Sequence, residues 1–212
     1  MLFSFRRTVI LGLALCSLVA CTSKGAKVPF PTTLPDEQVL DDTYNRLHHD
    51  LSPLSAYHFQ IMIPTPWKTL STKITKAPEK GGLADVGIFR EPGDWMKNDN
   101  APINGEISVS VLNVEGDTQT PAAWLETILK KNTKGFTVLN HRSIPSASGE
   151  VSDILITYQS GSDTIISRLM ALKRGNEMFV ITGSDTAKGY EKTAEVFAVA
   201  VQTFKLDPLE KK

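Results

Sequence analysis

The chain is nearly without cysteine. Its 212 residues hold two, Cys16 and Cys21, both in the opening stretch. Nothing beyond residue 21 can therefore form a disulfide or a thiolate metal site. Net charge is missing as well, since 23 basic residues balance 23 acidic ones. No basic field exists to hold nucleic acid. Long apolar runs are absent; the stretch from Thr8 to Leu18 is too short to cross a bilayer comfortably. There is no internal repeat, no low-complexity tract and no nucleophile motif. The Gly-Ser-Asp runs at 161–163 and 183–185 lack the G-x-S-x-G elbow and suit turns or helix caps. Gly81-Gly82 lacks the downstream Lys-Ser/Thr of a phosphate loop.

What the opening does hold is a leader pattern. Arg6 and Arg7 precede the short apolar core, and small residues lead into Cys21. Leu18, Val19, Ala20 and Cys21 resemble the bacterial lipobox, in which the cysteine is acylated and becomes the mature N-terminus. The resemblance implies a lipoprotein attached to the membrane through acyl chains, palmitate among them. In the Gram-negative sorting pattern an aspartate after the cysteine favours the inner membrane. Thr22 stands there instead, which points to the outer membrane, facing the periplasm. Removing residues 1–20 leaves 21 basic against 23 acidic residues and about 190 residues, enough for one domain with a real core.

Along the rest of the chain the pattern alternates between helix and strand. Residues 21–35 read as lipidated N-terminus and tether, because they are polar and proline-bearing. Asp36 and Glu37 suit the first turn of a helix. Leu40, Tyr44, Leu47 and Leu51 recur at helical spacing, so one helix is expected to run to Pro53. Residues 36–57 are assigned to this helix and its connection. Period-two patterns then mark strands at Phe59–Ile63, Val86–Phe89 and Ile107–Val111. Thr120-Pro121 reads as the cap and first position of a helix carrying Trp124, Leu125, Ile128 and Leu129, ended by Gly135. Four strand candidates follow, at Phe136–His141, Val151–Gln159, Thr164–Lys173 and Glu177–Thr182. Gly161-Ser162 and Gly175-Asn176 are turn signals between the last three, which predicts an antiparallel meander. A final helix, capped by Ser184 or Asp185, carries Tyr190, Ala194, Phe197, Val201 and Phe204. The expected class is α+β: a largely antiparallel sheet of about six or seven strands with helices packed on its faces. The main domain is placed at 58–206 and a tail at 207–212.

The order resembles the PsbP-like fold, an α/β/α sandwich shared by the extrinsic photosystem II protein, DcrB-type periplasmic proteins and Mog-type Ran-binding proteins. Residues 59–67 (FQIMIPTPW) resemble its opening strand, and the helix running into Gln202-Thr203-Phe204-Lys205 resembles its end. The resemblance implies binding or assembly more than catalysis. The Ran-binding and photosystem roles do not carry over.

The chemistry-bearing residues are few. Among the histidines His48, His49, His58 and His141, only His48 finds candidate companions, Asp41 and Asn45, on one helical flank. A solvated face explains that flank better, and no metal or cofactor is expected. His141 reads as a surface or edge residue. Arg90, Arg168 and Arg174 could bind an anion if the fold brings them together. Trp95 and Met96 lie in a Pro-, Gly- and Asn-rich loop, where a large apolar pair either plugs the fold or offers a partner contact. The expectation is a non-enzymatic, lipid-anchored module of an envelope complex, concerned with secretion or transport and binding a protein partner. The alternative is a carrier holding an apolar or lipidic ligand between sheet and helix. A hydrolase without a recognisable motif comes third.

Overall fold

The computed structural model describes residues 27–50, 54–70, 72, 74–97, 104–133, 135–146 and 149–208. Among these residues three α-helices, α1 (Glu37–Thr43), α2 (Pro121–Asn132) and α3 (Tyr190–Thr203), accompany ten strands. The strands are β1 (Tyr44–His49), β2 (Phe59–Pro64), β3 (Lys68–Leu70), β4 (Leu83–Arg90), β5 (Glu106–Asn113), β6 (Thr137–Ser146), β7 (Gly149–Ser160), β8 (Asp163–Arg174), β9 (Glu177–Thr186) and β10 (Lys205–Leu206). Seven of them form one sheet in the order β3-β4-β5-β9-β8-β7-β6, and β1-β2-β10 form a second. Every named strand pairing is antiparallel. The fold is thus α+β, as its patterning predicts, with the meander β6 to β9 intact. Gly161 and Gly175 turn its last two hairpins at φ of 64° and 60°, a region that glycine enters without a Cβ penalty.

Alternation along the strands sends side chains to two cores. Ile154, Ile156, Leu169, Ala171, Met178 and Val180 pack against Trp124, Leu125 and Leu129 of α2. On the other face, Leu155, Met170, Leu172, Phe179 and Ile181 join α3 and the inner residues Phe59, Ile61 and Ile63 of the small sheet. The aromatic centre is tight. A Cβ at Gly183 would lie 2.5 Å from Phe197, and one at Gly87 would lie 2.7 Å from Phe59. Both glycines let a ring approach the backbone. Truncating a fully buried phenylalanine such as Phe59 or Phe197 to alanine costs about 3–5 kcal/mol. The α2 cap forms as expected, with Thr120 Oγ1 accepting the Ala123 N–H at 3.3 Å. No described helix is long and apolar enough to cross a membrane.

Three expectations change. The helix expected from Asp36 to Leu51 stops at Thr43, and Tyr44 turns extended at φ −118°, ψ 143°. Tyr44 to His49 then pairs with Pro64 to Phe59, residue for residue. An open strand edge outweighs helical spacing in a segment of Tyr, Asn and His, all modest helix formers. This pairing also ties residues 44–49 to the unit expected to begin at residue 58. Second, neither Ser184 nor Asp185 caps the final helix, because β9 stays paired with β8 through Thr186. Asp185 instead accepts a hydrogen bond from Thr193 Oγ1 at 2.9 Å, bracing the first turn of α3 from the strand. Third, a separate small sheet exists, closed by the two-residue β10, which patterning does not reveal.

Candidate functional site: an arginine-rimmed groove

The α3 side of the large sheet does not close completely over β6, β7 and β8. It leaves a groove of about 710 Å³. Period two explains its lining. Arg142 and Ile144 on β6, Val151 on β7, and Met170, Leu172 and Arg174 on β8 all line it. Val201 and Phe204, at the end of α3, form the opposite wall, and Leu34 of the N-terminal segment stands at the edge. The floor is apolar, and Arg142, Arg174 and Lys205 outnumber the one carboxylate, Asp207, in the lining, a composition suited to an apolar body with an acidic end.

Beside the groove is a buried ion cluster. Asp153 lies opposite Arg142 in the β6–β7 register. Arg168 and Asp153 are both fully buried. Arg168 donates from Nε to Asp153 Oδ1 at 3.0 Å and from Nη2 to Oδ2 at 2.7 Å, while Arg142 Nε donates to Oδ2 at 2.7 Å. One carboxylate thus serves two guanidiniums. The N-terminal segment covers them: Arg168 Nη1 donates to the Pro31 carbonyl at 2.7 Å, and the Phe30 ring lies 4.4 Å from the Arg168 guanidinium. Tyr190 sits near the same charges. Burial lifts its phenol to about 12, with Arg168 opposing the rise and Asp153 adding to it.

Arg174 is held differently. It donates to the carbonyls of Asp207, at 3.0 Å, and Ala56, and lies 5.0 Å over the Phe179 ring. Burial lowers its pKa from the ordinary arginine value. Its Nε, like Arg142 Nη2, is buried without a hydrogen-bond partner among the described residues. Both side chains nevertheless line the groove, so an acidic ligand entering it would meet their positive charge.

The three arginines singled out from sequence therefore do not converge. Arg90 pairs with Glu106 and lies on β4, three strands across the sheet from Arg168 and Arg174 on β8. Arg142, which sequence reading passed over, joins Arg168 instead. Trp95 is half-buried, donates from Nε1 to the Glu91 carbonyl at 2.6 Å and lies 5.4 Å from the Arg90 guanidinium. Met96 is 52% exposed. The pair splits: Trp95 pins the loop to β4 and Met96 faces solvent. Leu18, Val19, Ala20 and Cys21 lie outside the described residues, as does the loop beyond Lys97. His141 is exposed on the edge strand β6. His48 leaves its expected helical flank with Asp41 and Asn45, because it lies on β1. Its companions are His58 and Asp207. Their separation of 10 and 159 positions from His48 hides the group from any local motif.

No protein-family profile and no curated protein sequence matches the chain. Solved structures do show similar chain paths. A protein of unknown function from Pseudomonas aeruginosa is 16% identical and aligns over 78% of this chain and 97% of its own, with a TM-score of 0.49. Cyanobacterial PsbP from Synechocystis is 9% identical over 78% of this chain and 93% of its own, again at 0.49. LpqN of Mycobacterium tuberculosis, involved in cell envelope biogenesis, is 16% identical over 80% of this chain and 95% of its own, at 0.48. At these scores the likenesses describe chain path and assign no activity to this protein.

Proposed function

We propose that the protein is a non-enzymatic, lipid-anchored binding module with a PsbP-like domain, facing the periplasm and serving an envelope complex. The observation that carries this reading is the groove: an apolar floor between sheet and helix, with Arg142 and Arg174 among the residues that line it. Its occupant is an apolar segment of an envelope protein bearing an acidic residue, which the two arginines receive. A second reading, a carrier of a small amphipathic molecule, is favoured by size. About 710 Å³ falls within the range of small-molecule sites, roughly 300–1,000 Å³.

Photo-crosslinking distinguishes them. A photoreactive residue replacing Ile144, in the groove, is compared in native membranes with one replacing the exposed Val138 on the same strand. A discrete protein adduct from position 144 alone, lost on Arg174→Glu, supports the partner reading. A lipid-sized adduct supports the carrier. Equal adducts from both positions overturn the groove as the binding site.

A further inference from the structure

We propose that His48, His58 and Asp207 form a Zn²⁺-binding clasp on the outer face of the small sheet. The register builds it. His58 and Gln60 are two residues apart on the chain entering β2 and share one face, opposite the buried Phe59. His48 pairs with Gln60 from β1, and Leu206 of β10 pairs with Phe59. Asp207 therefore falls beside His58, and its N–H donates to the His58 carbonyl at 3.1 Å. Two side chains 10 positions apart and a third 149 positions further on are delivered to one point by three adjacent strands.

Their ligand atoms all lie within 4.8 Å of one another, and His48 Nε2 is 2.6 Å from Asp207 Oδ2. Zinc bonds of about 2.0–2.2 Å in a tetrahedron need ligand atoms roughly 3.3 Å apart. The close pair must open and any wider pair close, by no more than side-chain rotation on a fixed sheet supplies. Asp207 Oδ2 is buried and paired with His48 Nε2, and no other hydrogen-bond donor reaches it among the described residues. The other oxygen is oriented: Gln60 Nε2 donates to Asp207 Oδ1 at 3.2 Å. Arg174 holds the Asp207 carbonyl. Such outer partners fix a metal-binding carboxylate in place. Two imidazoles select zinc over calcium or magnesium, which take oxygen ligands. Three protein ligands leave a fourth position open to water. The ion would fasten the segment after α3 to β1 and β2 at one end of the groove, which Asp207 also lines. This inference stands apart from the identity of the groove's occupant.

Calorimetric titration of Zn²⁺ into the full chain, purified in detergent without a polyhistidine tag, tests it. One saturable site is expected, with a tetrahedral ligand-field spectrum when Co²⁺ replaces Zn²⁺. His48→Ala, His58→Ala and Asp207→Asn each weaken binding by at least about tenfold, and Gln60→Leu weakens it by about tenfold or more. His141→Ala, at the exposed edge of β6, leaves affinity unchanged. His48 is more than half exposed, so its variant retains the fold and keeps the test decisive. No saturable site, an undiminished affinity in His48→Ala and His58→Ala, or equal loss in His141→Ala would overturn the clasp.

Discussion

Asp153→Ala probes the buried charge cluster directly. The Asp153 carboxylate is fully buried and receives two bonds from Arg168 and one from Arg142. Alanine would leave both guanidiniums without their anion, one of them fully buried. Removing one partner of a buried ion pair costs about 3–5 kcal/mol, against a total domain stability of roughly 5–15 kcal/mol. At about 2–4 °C per kcal/mol for a chain of this size, the thermal midpoint should fall by about 6–20 °C. Arg168→Met should cost less, because Asp153 keeps Arg142 as its partner. The double variant Asp153→Leu with Arg168→Met should recover part of the loss, since uncharged side chains of similar volume need no counter-ion. Far-UV circular dichroism of the full chain in detergent gives the midpoints. A fall of less than about 2 °C for Asp153→Ala, or a larger fall for Arg168→Met, would refute the shared-carboxylate argument.

Other outcomes follow from single residues. Cys21→Ser should accumulate unprocessed precursor and lose metabolic acyl labelling, because serine cannot form the thioether; labelling that persists removes the lipid anchor. Trp95→Ala should destabilise by about 1 kcal/mol through the lost indole bond to Glu91 and the contact with Arg90. Met96→Ala should leave the melting midpoint unchanged, and a drop in partner recovery would mark that exposed side chain as a contact. His49 is buried, stacks on Phe59 at 4.8 Å and meets Phe89 edge-on, and burial lowers its pKa. Below about pH 6.5 the unfolded chain binds a proton that the folded one refuses. His49's contribution to stability is therefore complete above that pH and erodes as pH falls towards the depressed folded value, by up to about 1.4 kcal/mol per unit. Urea titrations of wild type and His49→Leu across pH 5–8 should show a shallower slope in the variant; identical slopes would contradict a buried neutral imidazole.

Much of the architecture is local enough to read from residue order. Period-two runs and glycine turns are intrinsic to each segment, so the hairpins at Gly161 and Gly175 and the strands around them are legible without a fold. The same holds for α2, whose Thr120 cap, Pro121 and apolar stripe act within four residues of one another. The α1–β1 segment fails this test. It is helical as far as Thr43, but the partner that converts the rest, from Tyr44 on, into strand is β2, which only packing presents. The start of α3 is illegible for a related reason, since pairing with β8 holds Ser184 and Asp185 in β9.

By itself, the sequence determined the α+β class, the antiparallel meander and the absence of thiol chemistry beyond residue 21. Only the tertiary structure decided which charged side chains meet. Arg168 joins Arg142 around Asp153 rather than Arg90 or Arg174, and His48 meets His58 and Asp207 rather than Asp41 and Asn45. The physical reason is range. Turns, caps and periodicity act over a few bonds, whereas a carboxylate chooses its partner by strand register and burial: Asp153 reaches arginines 11 and 15 positions away on the strands either side of it, under a cover 137 positions from Arg168.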